Sequence, residues 1–122
     1  MIAMHNLKET VKEFNSMVEN QQWQNALNTF YDENIISVDN EGEPLQGLDK
    51  LKNGLKEFEA KTADVFVTLK NAIVSDDLSV TEWHYIFTHK DWGKFDYDQL
   101  SLQRWKDGKI VHERHHYKTD KF

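Results

Sequence analysis

The sequence predicts an α+β fold in which three N-terminal helices pack on the concave face of a curved antiparallel sheet, and three observations point there. Apolar residues recur at helical spacing in the first half, the pattern turns to alternation from Asp64 onward, and the strands of that second half are joined by turns short enough to require antiparallel pairing. The 122 residues suffice for one domain, 1–122, with a single core, and no linker, repeat or low-complexity segment divides them.

Asn6 followed by Glu9 has the spacing of a capping box, and Leu7, Val11, Phe14, Met17 and Val18 then mark a helix over 7–20. Gln21 and Gln22 interrupt the stripe. Trp23, Ala26, Leu27 and Phe30 continue it as a second short helix ending near Tyr31-Asp32, a pattern that more often packs a core than binds a cofactor. Residues 34–39 (NIISVD) read as a short strand, and 40–44 as a turn holding the sole proline. Gly47 introduces a third helix with Leu48, Leu51, Leu55 and Phe58 on one stripe. Gly54 inside it costs about 1 kcal/mol relative to alanine, and its expected role is close packing against a neighbour. Strands follow over 65–74, 78–89, 95–105 and 110–117, with turns at Ser75-Asp76-Asp77 and Asp91-Trp92-Gly93 and a loose tail at the end.

The stretch 99–117 is a hairpin turning at Asp107-Gly108, and its register decides what faces where. A two-residue loop sets Trp105 opposite Ile110, Leu102 opposite Glu113 and Leu100 opposite His115. Leu100, Leu102, Val111, Glu113, His115 and Tyr117 then share one face, so a carboxylate and an imidazole project from an apolar surface with perturbed proton affinities suited to acid–base chemistry. A three-residue loop with a glycine bulge shifts every pair by one and turns both groups toward solvent or a polar interface. Both registers stay open. Under the first, His112, Arg114 and His116 occupy the opposite face as a polar subunit surface. On the strand before, Trp83, Tyr85 and Phe87 are expected inside, with Tyr85 offering its hydroxyl to a ligand, and Glu82 and His84 outside; the reverse is the minority reading. Trp92 is either a lid or merely exposed.

Hydrophobic residues make up 39% and charged residues 30%, ordinary for a globular chain, while the aromatic share of 12% is high enough to line a pocket. The absence of cysteine excludes disulfides, thiolate nucleophiles and cysteine-bound zinc. A net charge of −6 with scattered Lys and Arg argues against nucleic acid. Lys106 and Lys109 beside the turn are what an exposed hairpin tip carries. The start MIAMHNLKETVKE has no signal-peptide pattern and no run approaches membrane-spanning length, so the expectation is a cytoplasmic protein without membrane contact. His112-Glu113-Arg114-His115-His116 matches HExxH, yet on a strand its outer histidines stand roughly 13 Å apart, too far to share a zinc. A looser site joining His115 to His84 has no spacing signature, and no metal is expected.

The element order, with Phe30-Tyr31-Asp32-Glu33-Asn34, the segment 42–47, and Asp107-Gly108-Lys109-Ile110 before a strand ending in His116-Tyr117, resembles the NTF2-like superfamily. More closely it is similar to the SnoaL-like group, with polyketide cyclases, ketosteroid isomerase and limonene epoxide hydrolase. The resemblance spans nearly the whole chain. It implies a cone whose interior is a ligand pocket and a convex sheet face that often makes a dimer; it does not fix an activity. It also implies that Asp39, in Asp39-Asn40-Glu41-Gly42, corresponds to the general base of ketosteroid isomerase. The oxyanion side departs, because Phe14 and about Gln99 stand where that enzyme has a tyrosine and a protonated aspartate, so steroid isomerisation is not expected. Trp83 and Tyr85 stand near the arginine and aspartate positions of limonene epoxide hydrolase and His115 near its last-strand aspartate, so its acid–base set is absent too. The expected site is therefore Asp39, Glu113 and His115 as proton carriers, with Phe14, Phe30, Trp83, Tyr85, Leu100, Leu102 and Tyr117 as ligand-binding walls. It would act without a cofactor, as an isomerase, cyclase, hydrolase or lyase on a small apolar molecule, in a homodimer formed through the sheet. The alternative is a non-catalytic binding or assembly domain.

Overall fold

The computed structural model describes residues 6–119; the tail beyond 119 lies outside the described residues, as does the segment before Asn6. Helix α1 spans Leu7–Glu19 and is capped by Asn6, whose side chain accepts from the Lys8 amide at 2.9 Å. Gln21 takes a left-handed conformation (φ 60°) to turn the chain into α2, Trp23–Phe30, and β1 follows without a break as Tyr31–Asp39. A two-residue strand β2, Leu45–Gln46, and Gly47 at φ 107° precede α3, Leu48–Lys61. Four long strands complete the chain: β3 (Thr62–Ser75), β4 (Leu78–His89), β5 (Gly93–Lys106) and β6 (Lys109–Tyr117). No helix among the described residues is long and apolar enough to cross a membrane.

The sheet is six-stranded, curved and unclosed, in the order β2-β1-β6-β5-β4-β3. One expectation needs correction. The sheet is mixed, because β1 pairs with β6 in parallel, the two being joined only through the whole intervening chain. The third helix follows the first strand, as the element order in the sequence places it, with the short β2 between them.

Curvature comes from extra residues inserted into single strands. The β3–β4 ladder shifts between Ala63 and Phe66, where Asp64 sits at φ 53°, and again between Leu69 and Asn71. Such bulges bend a strand and strengthen its twist. The β5–β6 hairpin carries the one that matters most. Its turn is the two-residue type, with Asp107 and Gly108 both at positive φ and Trp105 opposite Ile110, but the next pair is Arg104 with His112. Val111 is thus an extra residue, and beyond it Glu113 pairs with Gln103, His115 with Ser101 and Tyr117 with Gln99. The expected pairing of Glu113 with Leu102 and His115 with Leu100 is corrected accordingly.

The core gathers at one end. Phe14, Phe30 and Trp105 meet edge to face at 5.7 to 6.1 Å, enclosed by Val11, Ala26, Leu27, Tyr31, Ile35 and Ile110. Helix α3 has the same amphipathic pattern but no fully buried residue. Its Leu51, Leu55 and Phe58 instead roof an open space, which is how the fold creates a site. Gly54 lies on that roof, and a Cβ added there would meet nothing within 4 Å, so it does not mark close packing.

Candidate functional site

Between α3 and the concave sheet lies a pocket of about 760 Å³. Its walls differ in chemistry. Phe14, Trp23, Leu51, Leu55 and Phe58 from the helices and Trp83, Tyr85 and Phe87 from β4 are apolar or aromatic, whereas Ser37 and Asp39 of β1, Gln99, Ser101 and Gln103 of β5, and Glu113 and His115 of β6 form a polar strip. The strip exists because three neighbouring strands, β1, β6 and β5, present these side chains to one face: Ser37 pairs with Glu113 and Asp39 with His115 across β1–β6, Gln103 and Ser101 with the same two across β5–β6.

Glu113 is 2% exposed and is surrounded by donors. Tyr31 Oη at 2.5 Å and Gln103 Nε2 at 3.0 Å donate to Oε1, Ser37 Oγ at 2.7 Å donates to Oε2, and His115 Nε2 stands 3.2 Å from Oε2. Burial pushes this carboxyl upward, but the His115 charge and its hydrogen bond, followed by the bonds from Tyr31 and Gln103, outweigh burial and hold it at about 2. For His115, burial disfavours the cation, while the Glu113 charge and hydrogen bond and the Asp39 charge together raise its affinity for the proton above the ordinary imidazole value. When His115 is protonated the two form an ion pair in which Glu113 is buried and the imidazole is one-fifth exposed (20%). His115 Nδ1 lies 2.8 Å from Ser101 Oγ and 3.3 Å from Gln99 Nε2.

Burial and then the Glu113 anion raise the Tyr31 phenol well above its ordinary value, so it stays a donor. Tyr85 and Tyr97 are raised mainly by burial, and Tyr117 is raised to about 12 by burial and then by Asp39. Asp39 is exposed at the rim; Tyr117 Oη donates to it at 3.4 Å, and no cation sits within ion-pair distance of it among the described residues. Trp92 is 54% exposed and stacks on the His89 ring at 4.1 Å and 10°.

Of the residues singled out in the sequence, Asp39, Glu113, His115, Phe14, Trp83, Tyr85 and Tyr117 line this one pocket. Three do not. Phe30 is buried in the core cluster, and Leu100 and Leu102 lie on the outer face because the Val111 bulge moves their partners by one; Leu100 is 44% exposed. Tyr31, Ser37, Ser101 and Gln103 were not singled out. For Ser101 and Gln103 the signal was the polar alternation Gln99-x-Ser101-x-Gln103 beside a strand bearing Glu113, which hydrophobic-in reasoning assigns to solvent; Tyr31 and Ser37 on β1 carry no such local cue. The HExxH segment lies on β6, and no group of three metal-ligating side chains occurs among the described residues.

A family model for the SnoaL-like domain matches residues 11–113. The chain belongs to the SnoaL-like family. No curated protein matches it in sequence. Among solved structures, it is similar to a provisionally assigned SnoaL-like polyketide cyclase from Mesorhizobium loti, at 21% identity and TM-score 0.82 over 90% of this chain and 97% of that one. An NTF2-like protein from Burkholderia thailandensis superposes at TM-score 0.80 and 15% identity, covering 94% and 92%. An LEH-like epoxide hydrolase from M. tuberculosis does so at 0.73 and 11%, covering 90% and 80%. At these identities the likeness shows a shared NTF2-like α+β fold. Chemistry has to come from this SnoaL-like chain's own residues.

Proposed function

We propose that this SnoaL-like protein is a cofactor-independent enzyme that performs acid–base chemistry on a small apolar molecule held in the pocket. The observation that carries the reading is the buried Glu113–His115 ion pair opening onto a largely aromatic cavity, 3.2 Å between charged atoms. An ion pair placed there contributes less to stability than apolar packing of similar volume, so its presence points to use.

The three candidate proton carriers take different roles. Asp39 is the general base, a rim carboxylate without a cation partner among the described residues. His115 is the acid, held charged by Glu113, and its Nδ1 proton reaches the substrate side through Ser101 Oγ, 2.8 Å away. Glu113 moves no proton in this scheme; four donors saturate it, and it orients and charges the imidazole. Phe14, Trp83, Tyr85 and Tyr117 hold the apolar body. The reaction class that fits is proton transfer beside a carbonyl or epoxide oxygen, as in isomerisation, cyclisation or ring opening.

A homodimer through the outer sheet face is part of the same reading. That face exposes Phe66 at 63%, Ile73 at 64% and Leu100 at 44%, beside the ion pairs of His84 and Lys70 with Asp98.

The direct test is exchange of solvent deuterium into the position next to the carbonyl of α-tetralone, followed by NMR. The wild type should accelerate exchange, and Asp39→Asn should lose about a hundredfold or more of that rate while still binding the ketone. Saturable binding with no acceleration by the wild type would contradict the catalytic reading and favour a binding domain.

A further inference from the structure

The polar strip contains one hydroxyl whose proton loses its protein acceptor when His115 is charged. Ser101 is 2% exposed and lines the pocket. Its Oγ receives the Gln99 Nε2–H at 3.2 Å and lies 2.8 Å from His115 Nδ1. His115 Nε2 points at the Glu113 carboxylate, so that nitrogen carries a proton, and when the ring is charged Nδ1 carries one as well and donates to Ser101. Two donors then converge on Ser101 Oγ, and the hydroxyl proton is left to turn away from both, into the cavity. A buried hydroxyl rarely keeps an unused donor unless a ligand or water supplies the acceptor.

We propose that Ser101 Oγ–H is the donor that receives the substrate's carbonyl or developing oxyanion, polarised from behind by the Gln99 amide and the His115–Glu113 pair. This deepens the acid–base reading above and rests on it, by naming where the negative charge gathers when Asp39 removes a proton. It also assigns the ligand a class: an apolar body carrying an acceptor oxygen, not a hydrocarbon and not a molecule whose polar group can only donate. A preorganised donor at that place needs no rearrangement as charge develops, and the convergent bonds strengthen its O–H dipole.

The arrangement depends on the charge of the imidazole. Once His115 loses its Nδ1 proton, that nitrogen becomes an acceptor and the Ser101 proton turns toward it, withdrawing the donor from the pocket. Asp39 and Glu113 favour the charged ring, and the phenols of Tyr31, Tyr85, Tyr97 and Tyr117 stay neutral throughout the relevant range because all four are raised. The carbonyl donor is therefore present below the His115 transition and lost above it.

Fluorenone and fluorene, which differ by one carbonyl oxygen, test this by titration calorimetry with infrared detection of the bound carbonyl stretch. In the wild type at about pH 6, fluorenone should bind about tenfold more tightly than fluorene, with its stretch lowered relative to an apolar solvent. Ser101→Ala should remove both the preference and the lowering, Ser101→Thr should restore them, and fluorene binding should be similar in all three. In the wild type the preference should fade as pH rises through the His115 transition. A carbonyl preference and lowered stretch that survive Ser101→Ala would overturn this assignment while leaving the pocket reading standing. Failure of both compounds to bind the wild type would overturn the pocket reading and this inference with it.

Discussion

Among the individual residues, Glu113 and His115 give the protein a pH signature whose sign follows from the directions of their shifts. Glu113 is depressed from an ordinary value of 4.5 to about 2, so its stabilisation is present above the ordinary value and disappears as pH falls toward the depressed one. His115 is raised, so its contribution is complete below the ordinary imidazole value and is lost as pH climbs through the raised one. Stability should therefore peak between the two transitions. Urea unfolding should show a loss on the order of a few kcal/mol between about pH 5 and about pH 2, and a flat profile there would contradict the buried pair. Tyr31→Phe removes one donor from the same carboxylate while preserving ring packing. It should cost about 1–3 kcal/mol in the same assay and shift the acid limb upward, because Glu113 then holds its proton more readily.

In the individual elements, the contrast between α1 and α3 shows how an identical sequence signal serves two ends. Both have amphipathic stripes, but α1 buries Val11 and Phe14 whereas α3 buries nothing fully and roofs the pocket. Gly54→Ala should accordingly stabilise the protein by up to about 1 kcal/mol, since the added methyl gains helix propensity and meets no atom; a lowered melting temperature would contradict an open roof at this position. The elements themselves were largely legible. Tight turns at Asp76 and Asp107-Gly108 and the alternation in β4 place the long strands within a residue or three. What periodicity could not supply were the bulges and the β1–β6 pairing. Neither has a local cue: Val111 is an ordinary β-branched residue, and a parallel pairing between segments some eighty residues apart depends on the whole chain. The apolar face of β5 was also misassigned. Leu100 and Leu102 look like core, yet Gln99, Ser101 and Gln103 turn inward, because a charged cavity inverts the usual alternation.

For the molecule as a whole, that inversion leaves an apolar outer surface on one side and a polar-lined cavity on the other. The proposed dimer uses the first. Leu100→Glu combined with Ile73→Lys should convert a dimeric protein into a monomer by sedimentation at micromolar concentration, with the pocket unaffected; a monomeric wild type would contradict the interface. The cavity holds the central claim, that a buried carboxylate charges a histidine inside a ligand pocket. An NMR pH titration of the six histidines, with His115 assigned by its absence in His115→Gln, examines it in wild type and Glu113→Gln. The account predicts a His115 midpoint above the ordinary imidazole value in the wild type that falls in Glu113→Gln, because the amide keeps the shape and removes the charge. An ordinary midpoint in the wild type, unchanged by the substitution, would contradict it.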